Sequence, residues 1–202
     1  MREIPMLMSG PLVRATLAGL KTQTRRPIKR ENKPDPGFEW AECLCREIDP
    51  SDTPCCTCEA RFPGIASAGD RLWVRETWTA AMHEPTGPAD CLYRADDNGG
   101  VEDLAEAKWT PSIHMPRWAS RIVLPLVKVR IERVQSISEA DAWTEGYGEH
   151  WQQRVKEAGA DGPLGRPDPR GWFAMLWDKL YGTWRQNPWV AVYEWGQIEV
   201  SR

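Results

Sequence analysis

The segment SRIVLPLVKVRIERV (residues 120–134) constrains the fold more than any other part of the chain. Val127, Val129 and Ile131 alternate with Lys128, Arg130 and Glu132, the period-two pattern of a strand buried on one face. Pro125 calls for a bend, a bulge or an edge within it. NPWVAVYEWGQIEV (187–200) predicts a second long strand. IPMLM (4–8) and CLYRA (91–95) predict short ones, and in GDRLWVRETW (69–78) Leu72, Val74 and Glu76 alternate with Trp73, Arg75 and Thr77.

Helices fall between these strands. PLVRATLAG (11–19) has Pro11 suited to the first helical position, Ser9 or Gly10 as cap and Gly19 as breaker. SISEADAWTEG (136–146) carries Ser138 and Asp141 at capping-box spacing and ends at Gly146. FAMLWDKLYG (173–182) is amphipathic, and shorter helical candidates lie at 101–108 and within 147–170. Strands separated by short helices, without a regular βαβ alternation, indicate an α+β fold containing a small barrel.

The 202 residues show no internal repeat and suit one domain, 1–202, with a Cys-rich excursion at about 31–62 and a Gly/Pro loop at about 159–170. No apolar run approaches the roughly 20 residues that span a bilayer, and the apolar stretch after Met1 is too short for a secretory signal. The expected location is the cytosol. A net charge of −3 excludes an indiscriminate nucleic-acid binder, so any such contact comes from a local basic patch, or the ligand is small. Most of the 12 Trp residues are expected in the core. Trp78 and Trp118, beside polar residues, are the candidates for stacking on a base.

Three polar signals point to chemistry. In GLKTQTRR (19–26), Lys21 and Thr24 follow a predicted helix end in a segment with no apolar pattern. A Thr hydroxyl becomes nucleophilic only when a base takes its proton, and a Lys whose pKa is lowered by burial can be that base. The competing reading is a solvated polar turn. Glu145 falls in the last turn of its predicted helix, where the macrodipole disfavours a carboxylate. It breaks a local rule, for function or at no cost in water. Glu76 shares a strand face with Leu72 and Val74, so it is expected to point inward and to need a cation, most simply one from KTQTRR. Arg25, Arg26, Arg75 and Arg121 are candidates for a phosphate or an oxyanion, without ranking. The three His residues are dispersed, and neither they nor any carboxylate cluster makes a nuclease site.

Five of the six Cys residues lie between Cys43 and Cys58. Cys43, Cys45, Cys55 and Cys58 could hold a structural zinc, stapling an excursion that has almost no apolar core. Free thiols in a loop are the alternative. No cofactor is expected in the chemistry itself.

IPMLMSGPLVRATLAGLKTQTRR, GDRLWVRETW, IHMPRWASRIVLPLVKVRIERVQSISEADAWTEG and NPWVAVYEW together resemble the ASCH family, in particular its longer members from phage and prophage genomes. The resemblance omits about residues 31–62 and 148–170. It implies a PUA-like small β-barrel with flanking short helices and a cleft for a nucleotide. One ASCH branch hydrolyses the acetyl amide of N4-acetylcytidine with a Lys and a Thr of a K-T-x-T segment and a Glu from the helix after the long strand. Carried over, these are Lys21, Thr24 and Glu145, with Arg25, Arg26, Arg75, Glu76, Trp78, Trp118 and Arg121 as substrate-binding candidates. Those enzymes are smaller and lack both the Cys-rich excursion and the WVRETW strand. The alternative implied by the same resemblance is a module that binds RNA or modified nucleic acid without catalysis.

Overall fold

The computed structural model describes residues 1–28, 65–81, 84–96, 108–158 and 167–201. Cys43, Cys45, Cys55 and Cys58, the helical candidate at 101–107 and most of the Gly/Pro loop lie outside the described residues.

The described residues form eight strands: β1 (Glu3–Leu7), β2 (Gln23–Pro27), β3 (Arg71–Arg75), β4 (Trp78–Ala80), β5 (Cys91–Tyr93), β6 (Ile122–Arg133), β7 (Trp189–Trp195) and β8 (Glu199–Val200). Six form one sheet in the order β1-β3-β6-β7-β2, with β8 also beside β6; β4 and β5 make a separate hairpin-like pair. The β1–β3 pairing is parallel, and β3–β6, β6–β7 and β2–β7 are antiparallel. Among the described residues four α-helices complete the α+β fold: α1 (Gly10–Leu17), α2 (Glu139–Thr144), α3 (Tyr147–Ala158) and α4 (Pro169–Tyr181).

The anticipated closed barrel is not observed. β1 and β2 are the two ends of the sheet path, and the Arg26 side chain spans between them, donating from Nη2 to Leu7 O at 2.6 Å and from Nε to Met6 Sδ at 2.9 Å. A cavity of about 950 Å³ adjoins this gap, lined among others by Met6, Met8, Arg26, Ile28, Tyr181 and Tyr193.

Strand periodicity sorts the core. In β7, Ala191, Tyr193 and Trp195 join one apolar cluster with Met6, Val13, Leu72, Val74 and Leu124. Val190 and Val192 face the other, with Phe173, Trp177, Val134 and Ala142. In the long strand β6 the expected alternation holds at Val129, which is buried, but not at Val127, which is 59% exposed. The pairing with β7 shifts between Leu126 and Lys128, so Val127 is the extra residue of a bulge and is turned out of the core.

Helix ends follow their local chemistry. Ser138 Oγ accepts the Asp141 N–H at 3.0 Å, as its spacing predicts. Asp168 accepts the Gly171 N–H at 2.8 Å, and α4 closes on Gly182 at φ 64°. Ser9 precedes α1 without a side-chain cap bond. Gly146, at φ 114°, ends α2 while close against Leu12 and the Lys21 stem, where a Cβ would crowd Leu12 at 3.2 Å.

Candidate active site

The site is assembled at the end of α1. Gly19 turns the chain at φ 71°, and the Leu20 and Lys21 N–H groups both donate to Ala15 O. Lys21 then forms an isolated antiparallel bridge with Glu145, and Thr22 N–H donates to Thr144 O. This docks the K-T-Q-T segment on the end of α2, and the chain continues as β2 along β7.

Lys21 is 1% exposed. Its Nζ donates to Gln23 O at 2.8 Å, Glu145 O at 2.7 Å and Glu145 Oε2 at 2.9 Å. An ammonium has three N–H bonds, so all are committed. Burial pushes the Lys21 pKa down, and the adjacent Glu145 carboxylate pulls it partly back. Glu145 Oε1 accepts from Arg25 Nη1 at 2.9 Å. Arg25, buried against Phe173, also donates to Glu132 and Asp141. Arg130 joins Glu132, Asp141 and Glu194, and Gln23 Nε2 donates to Asp141 and Thr144. Three cations (Lys21, Arg25, Arg130) thus meet four carboxylates (Glu132, Asp141, Glu145, Glu194). The cluster has its own counter-charges and offers no surplus cation for a phosphate.

Thr24 is buried one strand position from this network but on the other face of β2. Its register partner is Tyr193, while Arg25 pairs with Val192. Thr24 and Arg26 therefore share the face that carries Tyr193 and borders the cavity. Among the described residues no hydrogen bond joins Lys21 Nζ to the Thr24 hydroxyl, the three Lys21 donors being taken by Gln23 and Glu145. Trp195 lies on this same face, its ring centre 5.9 Å from Lys21 Nζ, and its buried indole N–H has no partner among the described residues.

The remaining candidates lie elsewhere. Arg26, half-buried at the cavity, donates to Leu7 O, Met6 Sδ and Tyr181 OH, and among the described residues it has no carboxylate partner. Glu76 is buried as its strand face predicts, but its cation is Arg121, at 2.9 and 3.1 Å, not a residue of KTQTRR. The guanidinium of KTQTRR that comes nearest to β3, Arg26, is spent instead on Leu7 O, Met6 Sδ and Tyr181 OH. Burial raises the Glu76 pKa and Arg121 opposes this. Arg121 also binds Asp96 and covers the Tyr93 ring at 3.9 Å. Arg75, Trp78 and Trp118 group on a separate surface around β3 and β4. Cys91 is buried in β5.

Sequence reasoning missed Gln23, Arg130, Glu132 and Asp141. The signal was present in part: Arg130 and Glu132 alternate with the apolar face of β6, and a face with both charge signs can be an internal network as well as a wet surface. Among the described residues no group of His, Cys, Asp and Glu could hold a metal ion, and no helix is long and apolar enough to cross a membrane. Comparison with known proteins returned nothing: no family model, curated protein or solved structure matches the chain.

Proposed function

We propose that the chain is an ASCH-type, PUA-like hydrolase that cleaves the acyl amide of N4-acetylcytidine or a related modified nucleoside. The observation that carries this reading is the buried Lys21 Nζ–Glu145 Oε2 contact of 2.9 Å, joining residues far apart in sequence beside Thr24. Support also comes from the cavity on the Thr24 face, with aromatic walls at Tyr181 and Tyr193 and a guanidinium at Arg26. Such a mix of apolar lining and few polar groups suits a nucleoside.

In the reaction, Thr24 Oγ attacks the acyl carbonyl carbon and its proton passes through one bridging water to neutral Lys21. The developing oxyanion takes a donor such as the Trp195 N–H. The carbon–nitrogen bond then breaks, the proton moves to the leaving amine, and the product is cytidine. Water hydrolyses the acyl-Thr24 ester, releasing the acid and restoring the hydroxyl. Lys21 must give up one of its three hydrogen bonds to present a lone pair. Glu145 holds it in place.

That requirement favours a second reading, a module that binds a modified nucleoside or RNA without turnover, in which Lys21 is a structural ammonium. One experiment separates them. Purified protein is incubated with N4-acetylcytidine and acetate is measured. The hydrolase reading expects release that Thr24→Ala and Lys21→Met abolish in folded variants, and a rate that rises with pH toward an apparent pKa below that of free lysine. Folded wild-type protein that binds the nucleoside without releasing acetate establishes the second reading.

A further inference from the structure

Arg75, Trp78 and Trp118 belong to a surface that the hydrolase reading does not use. On the outer face of β3, two guanidinium groups approach the Trp73 ring, Arg75 at 5.5 Å and Arg117 at 5.9 Å from its centre. Arg117 binds Glu3, and Arg71 binds Glu199. Arg75 has no carboxylate partner among the described residues. Its Nη2 donates to Ile113 O, and its Nε is buried without an acceptor. The segment packed there, two 3₁₀ turns at Ser112–His114 and Arg117–Ala119, leaves Ile113 57% and Trp118 41% exposed. Trp118 stands edge-on to Trp78, ring centres 5.4 Å apart. Trp78 is 8% exposed, and its indole N–H also lacks an acceptor among the described residues.

Two properties therefore coincide: an exposed aromatic ring at Trp118 and, at Arg75, a guanidinium without a counter-ion among the described residues. Among the described residues, Arg71, Arg75 and Arg117 face two carboxylates, Glu3 and Glu199, which leaves one positive charge over. An apolar protein partner would cover Trp118 but strand that charge. A nucleic-acid strand supplies what is missing. Its bases stack on aromatic rings, its phosphates pair with guanidinium groups, and its base and phosphate oxygens accept hydrogen bonds. Paired bases keep their faces hidden in the duplex, so the strand must be single.

We propose that the surface around Trp73, Arg75 and Trp118 binds single-stranded nucleic acid, with a base on Trp118 and a phosphate on Arg75. The test titrates the full chain against fluorescein-labelled oligomers of about eight nucleotides, one RNA and one DNA of the same sequence, by anisotropy over a series of salt concentrations. Binding of either oligomer is expected, and a preference between them identifies which strand is read. Trp118→Ala should weaken binding about ten-fold or more, whereas Trp118→Phe, which keeps a ring, should retain most of it. Arg75→Gln should lower the log–log salt slope by about 0.7, the share of one phosphate on a single strand. Lys179→Ala, which removes a positive charge from exposed α4, should change neither quantity. Thermal melts check that the variants fold, and Arg75→Gln with Trp118→Phe carries the comparison if Trp118→Ala does not. No binding at low salt overturns the proposal, as does wild-type affinity in both Trp118→Ala and Arg75→Gln. Equal competition by duplex also overturns it. The proposal does not depend on acyl hydrolysis, so failure of acetate release leaves the titration to stand by itself.

Discussion

Lys21 and Glu145 are bonded to each other but are not equivalent partners, and the difference predicts unequal costs of removing them. Lys21 has one carboxylate, Glu145, whereas Glu145 has two cations, Lys21 and Arg25. Both side chains of the pair are almost fully buried. Glu145→Gln keeps the shape but removes the charge. However the new amide turns, its NH2 faces a cation, either Lys21 Nζ or Arg25 Nη1. Arg25 falls back on Glu132 and Asp141. Lys21 has no such reserve, so an ammonium is left buried with only neutral acceptors, at about 3–5 kcal/mol. Lys21→Met leaves Glu145 neutralised by Arg25 and loses hydrogen bonds to two carbonyls, at roughly 1–3 kcal/mol. Urea unfolding at constant m reads both values. pH adds a sign. Burial lowers the folded Lys21 pKa and Glu145 raises it, so the Gln variant lowers it further. An unfolded lysine then holds protons that the folded one does not, and the stability of the variant should climb as pH rises from neutral toward the ordinary lysine value. Lys21→Met costing as much as Glu145→Gln, or a Glu145→Gln penalty that is flat with pH, would refute the reasoning.

Two further outcomes are expected. Burial pushes the Asp70 carboxyl up, but the Arg2 and Ser67 N–H groups and the Arg2 guanidinium overcome this and hold it at about 2. Its stabilisation, roughly 2 kcal/mol, should be complete above about pH 4 and disappear as pH falls toward 2; Asp70→Asn should flatten that part of an acid-unfolding profile. If Cys43, Cys45, Cys55 and Cys58 hold zinc, metal analysis of purified protein should find about one equivalent, and metal-free protein that is otherwise folded refutes that set.

The elements legible in the sequence were those with a local cause. Apolar alternation located β3 and β6, and Ser138 and Gly146 marked helix ends that the structure keeps. β2 was not legible. Gln23, Thr24 and Arg25 have no apolar alternation, yet all three are buried: Glu132, Asp141 and Glu145 arrive from more than a hundred positions away to meet Gln23 and Arg25, and Thr24 lies beside Tyr193 of β7. The same remoteness concealed the partner of Glu76: its burial followed from strand parity, but the choice of Arg121 followed from β6 lying next to β3. The Val127 bulge left no trace in the pattern beyond Pro125, two residues earlier. For the site, Lys21 and Glu145 were chosen for their place in the chain and are found in contact. The face on which Thr24 lies depended on the β2–β7 register, which no local feature fixes.

The order of strands also sets the order of folding. β7 lies between β6 and β2, so β2, translated early, waits for a partner made near the other end of the described chain. Until then Arg25 has neither the strand that fixes its direction nor the Phe173 ring beneath it. Contacts this distant in sequence are slow to form, because the intervening chain must be closed into a loop before any of them can repay that loss of freedom. A nascent chain that has emerged only as far as Glu145 already possesses Lys21, Arg25 and Glu145, yet lacks β7, the strand through which β2 joins the sheet. The charge cluster is thus a late event in the life of each molecule, and an interrupted translation product would expose these charges together with the apolar edge of β6.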